Sequence, residues 1–456
     1  MGSILTTLLN STGALSAYGR VFQTIQNNIT NANTPGYAKQ DQSLIALPFQ
    51  PDGGPAGGVV AGPMISARSP YLEQAVRTGQ QLLGAAQQRS TDLGQIEPLF
   101  SVGENAGLPD ALNQLFASFS QLGVNPNDGV LRQQVITQAD SVSQSFHQIA
   151  AGIDTTSNNI DSSTRDTINK VNSIIDKIAG INQQNVTNSI GGQDAGVDAQ
   201  IYSSLEDLAG SINAQVIQAS DGTFNLYLGT QTPLVVGTKS FHLTADFSGG
   251  KTTIRDTTRA DVTSQISSGA LAAQLQNKNT TLPGYLNSLN TLAKSFADQI
   301  NQALAQGVDK NGQTPTTNLF SYNSAADAAS TINVTNITPD QIAAASATAP
   351  GGGGNAIAIS QLATAPLVGA ATATQAYGNI GAQVGNDVNS AKDDSTRYQD
   401  QVTQAQSQRQ LASGVSYDEE AAKLLQFQQA YQAVGKLVSV LDTLTQSVLD
   451  MVQPGV

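Results

Sequence analysis

The 456-residue chain reads as mainly α-helical with a small antiparallel β insertion, its terminal helices paired as a coiled coil around a rod-like helical middle. Three observations predict this. Apolar residues recur at heptad spacing through both ends of the chain. Seven-residue seams also run through long stretches of the middle. One segment, from about residue 213 to 262, instead alternates apolar and polar residues around a turn signal.

In the first segment Leu8, Leu15, Phe22 and Ile29 form one seam, and Ile4, Ser11, Tyr18, Ile25 and Ala32 form the other, with only Ser11 polar. The spacing predicts a helix from about Ser3 to Asn31, roughly 45 Å long at 1.5 Å per residue. Before Lys39 its only charged side chain is Arg20. A free two-stranded coiled coil carries Glu and Lys beside its seam; here Thr, Ser, Asn and Gln stand there, as if several faces meet protein. The run Asn27 to Tyr37 stops the helix, because Asn tolerates the left-handed conformation and Pro35-Gly36 suits a type II turn. Pro48, Pro51, Pro55 and four glycines up to Val59 then read as a linker or irregular crossover.

Tyr71 to Phe100 and Leu108 to about Gln183 read as helical, broken at Asn125-Pro126-Asn127-Asp128. Val135, Val142 and Ile149 keep one seam there; Phe146, Ile153, Ile160, Ile174 and Ile181 keep the other. Val216 to Leu228, centred on Asp221-Gly222, predicts a hairpin with a two-residue turn, continued by Val235-Val236, Phe241 to Thr244 and Thr252 to Ile254. Helix returns from Gly269, with Leu282-Pro283 as a start and Tyr285, Leu289, Leu292, Phe296, Ile300 and Leu304 as its stripe. Thr314 to Gly354 is irregular, and the charge-free Gln341 to Asn386 tract with its Gly351–Gly354 run predicts a flexible surface segment. A helical arm follows from about Thr374 to Ala412. Ser416-x-x-Glu419 predicts a capping box for the last helix, whose stripe is Leu424, Phe427, Tyr431, Val434, Val438, Leu441, Val448 and Val452, with Thr445 in the polar slot. The expected units are 1–60 with 415–456, 61–212 with 263–414, and 213–262.

Composition narrows the function. With 21 Lys+Arg against 34 Asp+Glu the net charge is −13, which argues against a nucleic-acid footprint. Only 12% of residues are charged, about half the usual share. There is no Cys, which removes thiolate chemistry, disulfides and cysteine-based metal sites. No signal-peptide pattern opens the chain, and no stretch is apolar enough to span a membrane. Met1, Gly2 and Thr6 fit the myristoylation pattern formally, but an ordinary helix start explains them. Catalysis finds little support. His147 and His242 read as structural, and no G-x-S-x-G occurs. Gly250-Lys251-Thr252 lacks the first glycine of a P-loop, and Asp309-Lys310-Asn311-Gly312 lacks the closing Glu of a calcium loop, Phe320 standing there. The expectation is therefore no enzyme, no cofactor and no metal.

The functional candidates are the ends. Leu8, Leu15, Phe22, Ile25, Ile29, Asn31, Asn33, Pro35 and Gly36 on one side, and Leu424, Phe427, Tyr431, Val434, Val438, Leu441 and Val448 on the other, are expected to form an assembly interface. The plainer reading is that these stripes only pack on each other; both roles are compatible.

Several motifs carry a resemblance. Asn28-Ile29-x-Asn31-x-Asn33-Thr34-Pro35-Gly36-Tyr37 resembles the signature shared by flagellar rod, hook and hook-associated proteins. Gly107-Leu108-x-x-Ala111-Leu112 with Asn125-Pro126 and Arg132-Gln133, Asp221 to Gly229 with Pro233-Leu234-Val235, and Leu282 to Leu286 resemble the hook-associated protein 1 family in particular. So do Gly414 to Ala422 and Gln428 to Ala433. Two departures stand out: Ile201 to Leu208 has no Arg where the family has an Asp/Arg-rich stretch, and the variable outer region is short. The resemblance implies a nonenzymatic hook–filament junction protein that self-assembles through its terminal helices. It implies export by the flagellar type III route to the extracellular flagellum, a chaperone on the C-terminal helix, and hook protein and a second junction protein as neighbours. The rivals are another axial protein, such as hook protein or the second junction protein, and a secreted adhesin or enzyme acting through the β region.

Overall fold

The computed structural model describes residues 2–49, 57–100, 107–188, 194–229 and 231–452. The expected crossover around Pro51 and Pro55 lies outside them.

Helix α1 (Gly2–Asn31) covers the predicted span. A hairpin with strands on either side of the expected linker follows: β1 (Gln40–Ala46) pairs antiparallel with β2 (Val59–Ser66). Its register shifts between Gln42 and Leu44, and Gly62 and Pro63 sit inside β2. A bulge and two poor strand formers erase the two-residue period by which a strand is recognised. The expected unit limit at residue 60 falls inside β2.

Helix α2 (Pro70–Gly94) begins at Ser69, whose hydroxyl accepts from the Leu72 N–H, with Pro in its first turn. Then come α3 (Gly107–Val124) and α4 (Gly129–Asn188), the latter 60 residues and so about 90 Å long. After α5 (Ala195–Ala209) the chain forms a sheet in the order β3 (Ala214–Gln218), β4 (Phe224–Leu228), β5 (Thr232–Val236), β6 (Lys239–Ser240). A separate pair, β7 (Thr244–Asp246) and β8 (Thr253–Arg255), follows. The first hairpin closes with a three-residue loop, not two: Ala219 N–H donates to Thr223 O at 2.8 Å, and Gly222 takes φ +83°. A type I turn plus a left-handed glycine gives this loop, and Asp-Gly serves it as well as the tighter turn.

Helices α6 (Ala270–Gln276) and α7 (Leu282–Ala305) are continuous through a π turn over Asn277–Thr281. Leu282-Pro283 is thus not a fresh start; the wider turn accommodates a residue that has no N–H to give. Two short helices, α8 (Ala328–Thr331) and α9 (Gly354–Gln361), precede α10 (Ala373–Ser413), which opens on a Thr372/Gln375 capping box, and α11 (Tyr417–Val452) closes the chain.

Two apolar cores are strung along α4. One joins Val135 to Ile160 of α4 with α3, α7 and the first half of α10. The other joins Ile168 to Ile181 of α4 with α5, α6 and the sheet. Between them Asp161 pairs with Lys278 at 2.6 Å, and Gln274 donates to Ser163 and Thr167. The seam skips from Ile160 to Ile174 because Thr167 occupies the polar layer. The sheet has no core of its own: Leu226, Leu228 and Leu234 pack against Ile175, Ile178 and Leu205. A small sheet with one apolar face needs a covering layer, and the helices supply it.

The Gln341–Asn386 tract is not a flexible surface segment. Ile342, Ala343 and Ala344 are fully buried, as are Ile359 and Val384. The buried Arg132 guanidinium fastens it, donating to the carbonyls of Pro339 at 3.1 Å and Ile342 at 2.6 Å as well as to Pro126. Composition suggested mobility, whereas a cage of carbonyls around one cation supplies order.

Candidate assembly site and its arginine fork

The end of α1 lies beside the start of α11, so the two helices run antiparallel: Asn28 Nδ2 donates to Glu420 Oε2 at 3.0 Å, and Asn33 Nδ2 to the Tyr417 hydroxyl at 3.3 Å. Tyr18 faces Phe427 and Phe22 faces Tyr431, each with ring centroids 5.8 Å apart. Tilted rings at this distance add about 1 kcal/mol per pair beyond burial. Of the predicted stripe residues, Ile25 and Leu441 are buried. Leu8, Leu15, Phe22, Ile29, Phe427, Val434, Val438 and Val448 are half-buried, and Leu424 and Tyr431 are more exposed. Ala14, Ala17 and Val21 are buried too, and they lie on the stripe of Thr24 and Asn28, which touch the hairpin. Helix α1 is thus sandwiched between α11 and a layer whose strands carry no periodic signal.

Asn28 is the polar centre of this unit. Its side chain, 1% exposed, donates to Gln40 O (2.8 Å) and Glu420, and accepts from the Tyr37 hydroxyl (2.8 Å) and the Gln40 N–H (3.0 Å). All four of its hydrogen-bonding positions are used, joining α1, β1 and α11. Burial, then the negative Glu420, pushes the Tyr37 phenol up to about 12. Glu420 is fully buried, with Lys423 Nζ at 3.9 Å from its second oxygen. Only half the predicted capping box forms: Ser416 Oγ accepts from the Glu419 N–H at 3.4 Å, while the Glu419 carboxylate pairs with Lys39 at 2.9 Å.

The helix stop behaves as its residues dictate. Tyr37 N–H donates to Thr34 O at 3.1 Å across Pro35-Gly36, with Gly36 at φ +75°. Asn31 bonds back to Asn27 and accepts from Thr34, while Asn33 and Pro35 are exposed. A Cβ on Gly36 would collide with the Ala199 backbone oxygen of α5. Here the terminal unit meets the second core. Arg68 is the link: its guanidinium donates to Gly36 O (2.6 Å), pairs with Glu73 and with Asp198 (3.0 Å), and stacks 3.8 Å over the Tyr202 ring. Glu73 also pairs with Arg409 (3.2 Å), which reaches Glu206 (2.8 Å). Burial lifts the Asp198 carboxyl above its ordinary range, against the pull of Arg68. Such a fork needs a planar cation.

Sequence reasoning missed Arg68, Glu73, Asp198, Glu206 and Arg409. No local pattern marks them, since the partners lie up to 336 positions apart. Among the described residues no helix is long and apolar enough to cross a membrane.

The profile of the "Flagellar hook-associated protein FlgK helical domain" matches residues 93–320, and that of the "Flagellar basal body rod FlgEFG protein C-terminal" matches residues 406–451. The chain is 25% identical over 492 residues to flagellar hook-associated protein 1 of Bacillus subtilis, covering 96% of each. It is 24% identical over 327 residues to the Salmonella typhimurium protein of the same name, covering 68% of this chain and 58% of that one. Its fold is like that of the flagellar hook junction protein FlgK from Burkholderia pseudomallei, with a TM-score of 0.67 at 16% identity over 74% of this chain and 99% of that one. The chain belongs to the flagellar hook-associated protein 1 family, structural components of the flagellum.

Proposed function

We propose that this protein forms the junction between hook and filament by polymerising through the α1–α11–hairpin unit. The supporting observation is the surface of that unit. Large apolar side chains are exposed on all three of its layers: Leu5 and Leu9 on α1, Ile45 and Ile65 on the hairpin, and Leu437, Val440 and Leu444 on α11. Surface of this kind, with few charges beside it, marks a site awaiting protein. The assembly interface comprises the sixteen predicted positions together with these outer residues.

On this reading the terminal unit, 2–66 with 417–452, is the inner layer, the core of α5, α6 and the sheet, which it meets through Arg68, comes next, and the core around α3, α4 and α7 lies beyond that one along α4. Neighbours are copies of the chain, hook protein and a second junction protein. An export chaperone holds the apolar α11 before the chain leaves by the flagellar type III route to the extracellular structure. The protein acts by position rather than by turnover.

The test is genetic. Cells lacking the protein should make hooks without filaments and release flagellin monomer. Chains lacking residues 1–40 or 416–456 should fail to restore filaments while keeping both cores folded. Motility restored by either truncation overturns the proposal.

A further inference from the structure

In the second half of α11 most of the exposed large apolar residues lie on one side. On α11 a second seam, Ala433, Leu437, Val440 and Leu444, runs one residue behind the α1-facing seam of Val434, Val438, Leu441 and Thr445. It turns aside by about 100°. Val440 is 56% and Leu444 49% exposed. On α1 the exposed large apolar residues are Leu5 at 60% and Leu9 at 63%. Further along the same side stand Thr12, Ser16, Gly19 and Gln23.

Both patches lie at the same height. Asn28 touches Glu420. Counting away from that contact at 1.5 Å per residue, Leu9 and Val440 are each about 30 Å down the pair, and Leu5 and Leu444 each about 35 Å. They nevertheless face different ways. Taking 100° per residue from the Tyr18/Phe22 and Phe427/Tyr431 contact directions, Leu9 and Val440 each point about 160° away from the partner helix, and Leu5 and Leu444 about 120°. In an antiparallel right-handed pair these rotations put the patches on opposite faces, so they cannot meet within one chain.

We propose that the occupant of the outer α11 seam is a second copy of this chain, seated through the first two turns of its α1. Leu5 and Leu9 of one copy pack at the height of Leu444 and Val440 of the next. The contact continues the α1–α11 interface sideways with almost no axial offset. Because the two patches differ, the contact is head-to-tail and propagates into a ring or helix, which a self-complementary patch would not do. This inference rests on the assembly reading above and adds its polarity and register.

The chain has no cysteine, so disulfide trapping has a clean background. Full-length chains carrying both Leu9→Cys and Val440→Cys, polymerised and then oxidised, should run on a denaturing gel as a ladder of dimers, trimers and higher species. Leu9→Cys chains mixed with Val440→Cys chains should stop at dimers, and either single variant alone should stay monomeric. The three positions used, Leu9, Val440 and Leu47, are exposed, so the fold should tolerate them; circular dichroism of each variant checks this. Polymer that forms but gives no cross-link, dimers from a single variant alone, or trapping of Val440→Cys by Leu47→Cys of the hairpin in place of Leu9→Cys would overturn the proposed register while leaving assembly intact. Absence of polymer even from the cysteine-free parent would overturn the assembly reading and this inference with it.

Discussion

Replacing Asn28 by Ala should unfasten the terminal unit without unfolding the rest. The side chain is 1% exposed and makes four hydrogen bonds of 2.8 to 3.0 Å. Truncation leaves the Gln40 N–H and C=O and the Glu420 carboxylate without this partner, while the half-buried Tyr37 hydroxyl can turn to water. Each buried group so orphaned costs about 1–3 kcal/mol, more for a charged one. Allowing for relaxation, the sum is about 4 kcal/mol, or roughly a thousandfold at 1.4 kcal/mol per decade. The three bonded segments belong to one local unit, so the loss should appear as local opening. Hydrogen exchange of the native protein is the assay. Amides of α1 between Ala14 and Asn28, of β1 and of the first turns of α11 should lose about a thousandfold in protection, while those near Val142 and Phe146 keep theirs. Asn28→Asp should be worse at neutral pH, since it sets a second carboxylate beside Glu420. Protection of α1 in Asn28→Ala within tenfold of the parent's would refute the reasoning.

Three further outcomes follow from the same geometry. Gly36→Ala places a side chain at φ +75° and against the Ala199 oxygen; the conformation alone costs about 1–2 kcal/mol, and limited proteolysis near Arg68 should accelerate. Arg68→Met strips Glu73 and Asp198 of a shared cation, a loss of about 3 kcal/mol, and Arg68→Lys should recover little, because one ammonium cannot reach Gly36, Glu73 and Asp198 together; equal melting temperatures for parent and Arg68→Lys would count against the fork. Burial raises the Asp92 carboxyl above its ordinary 3.8, against hydrogen bonds from Asn277 and Gln88. Its contribution to stability is therefore present below that value and lost as pH rises through the higher folded value. Asp92→Asn should flatten the corresponding fall in Tm, and an unchanged pH slope would refute the assignment.

Much of the helical architecture was legible because its signals are local. The Leu8–Ile29 heptads, the Pro35-Gly36 stop and the Ser416 start each need only a few neighbouring residues to act. The Asp221-Gly222 hairpin was legible for the same reason, though not its loop length, since one dipeptide serves two turns. The β1–β2 hairpin was not, because a bulge, Gly62 and Pro63 remove its alternation. The Gln341–Asn386 tract misled because its order comes from Arg132, about 210 positions upstream. The arginine fork was invisible as a cluster: Arg68, Asp198 and Arg409 are ordinary charged residues until the fold brings them together.

The sequence by itself determined that both ends are charge-poor amphipathic helices, the first with a defined stop and the last with a defined start, because helix period and capping are set by neighbours three and four residues apart. It also determined that the middle is helical with one β insertion. Only the tertiary structure decided that α1 lies between α11 and a hairpin, that the sheet shares a core with α4 and α5, and that an arginine fork fixes Gly36 to α5. It alone separated the apolar seam of α11 that faces α1 from the one that faces outward. Those are contacts between distant segments, and a heptad specifies that a face will be covered without specifying by what.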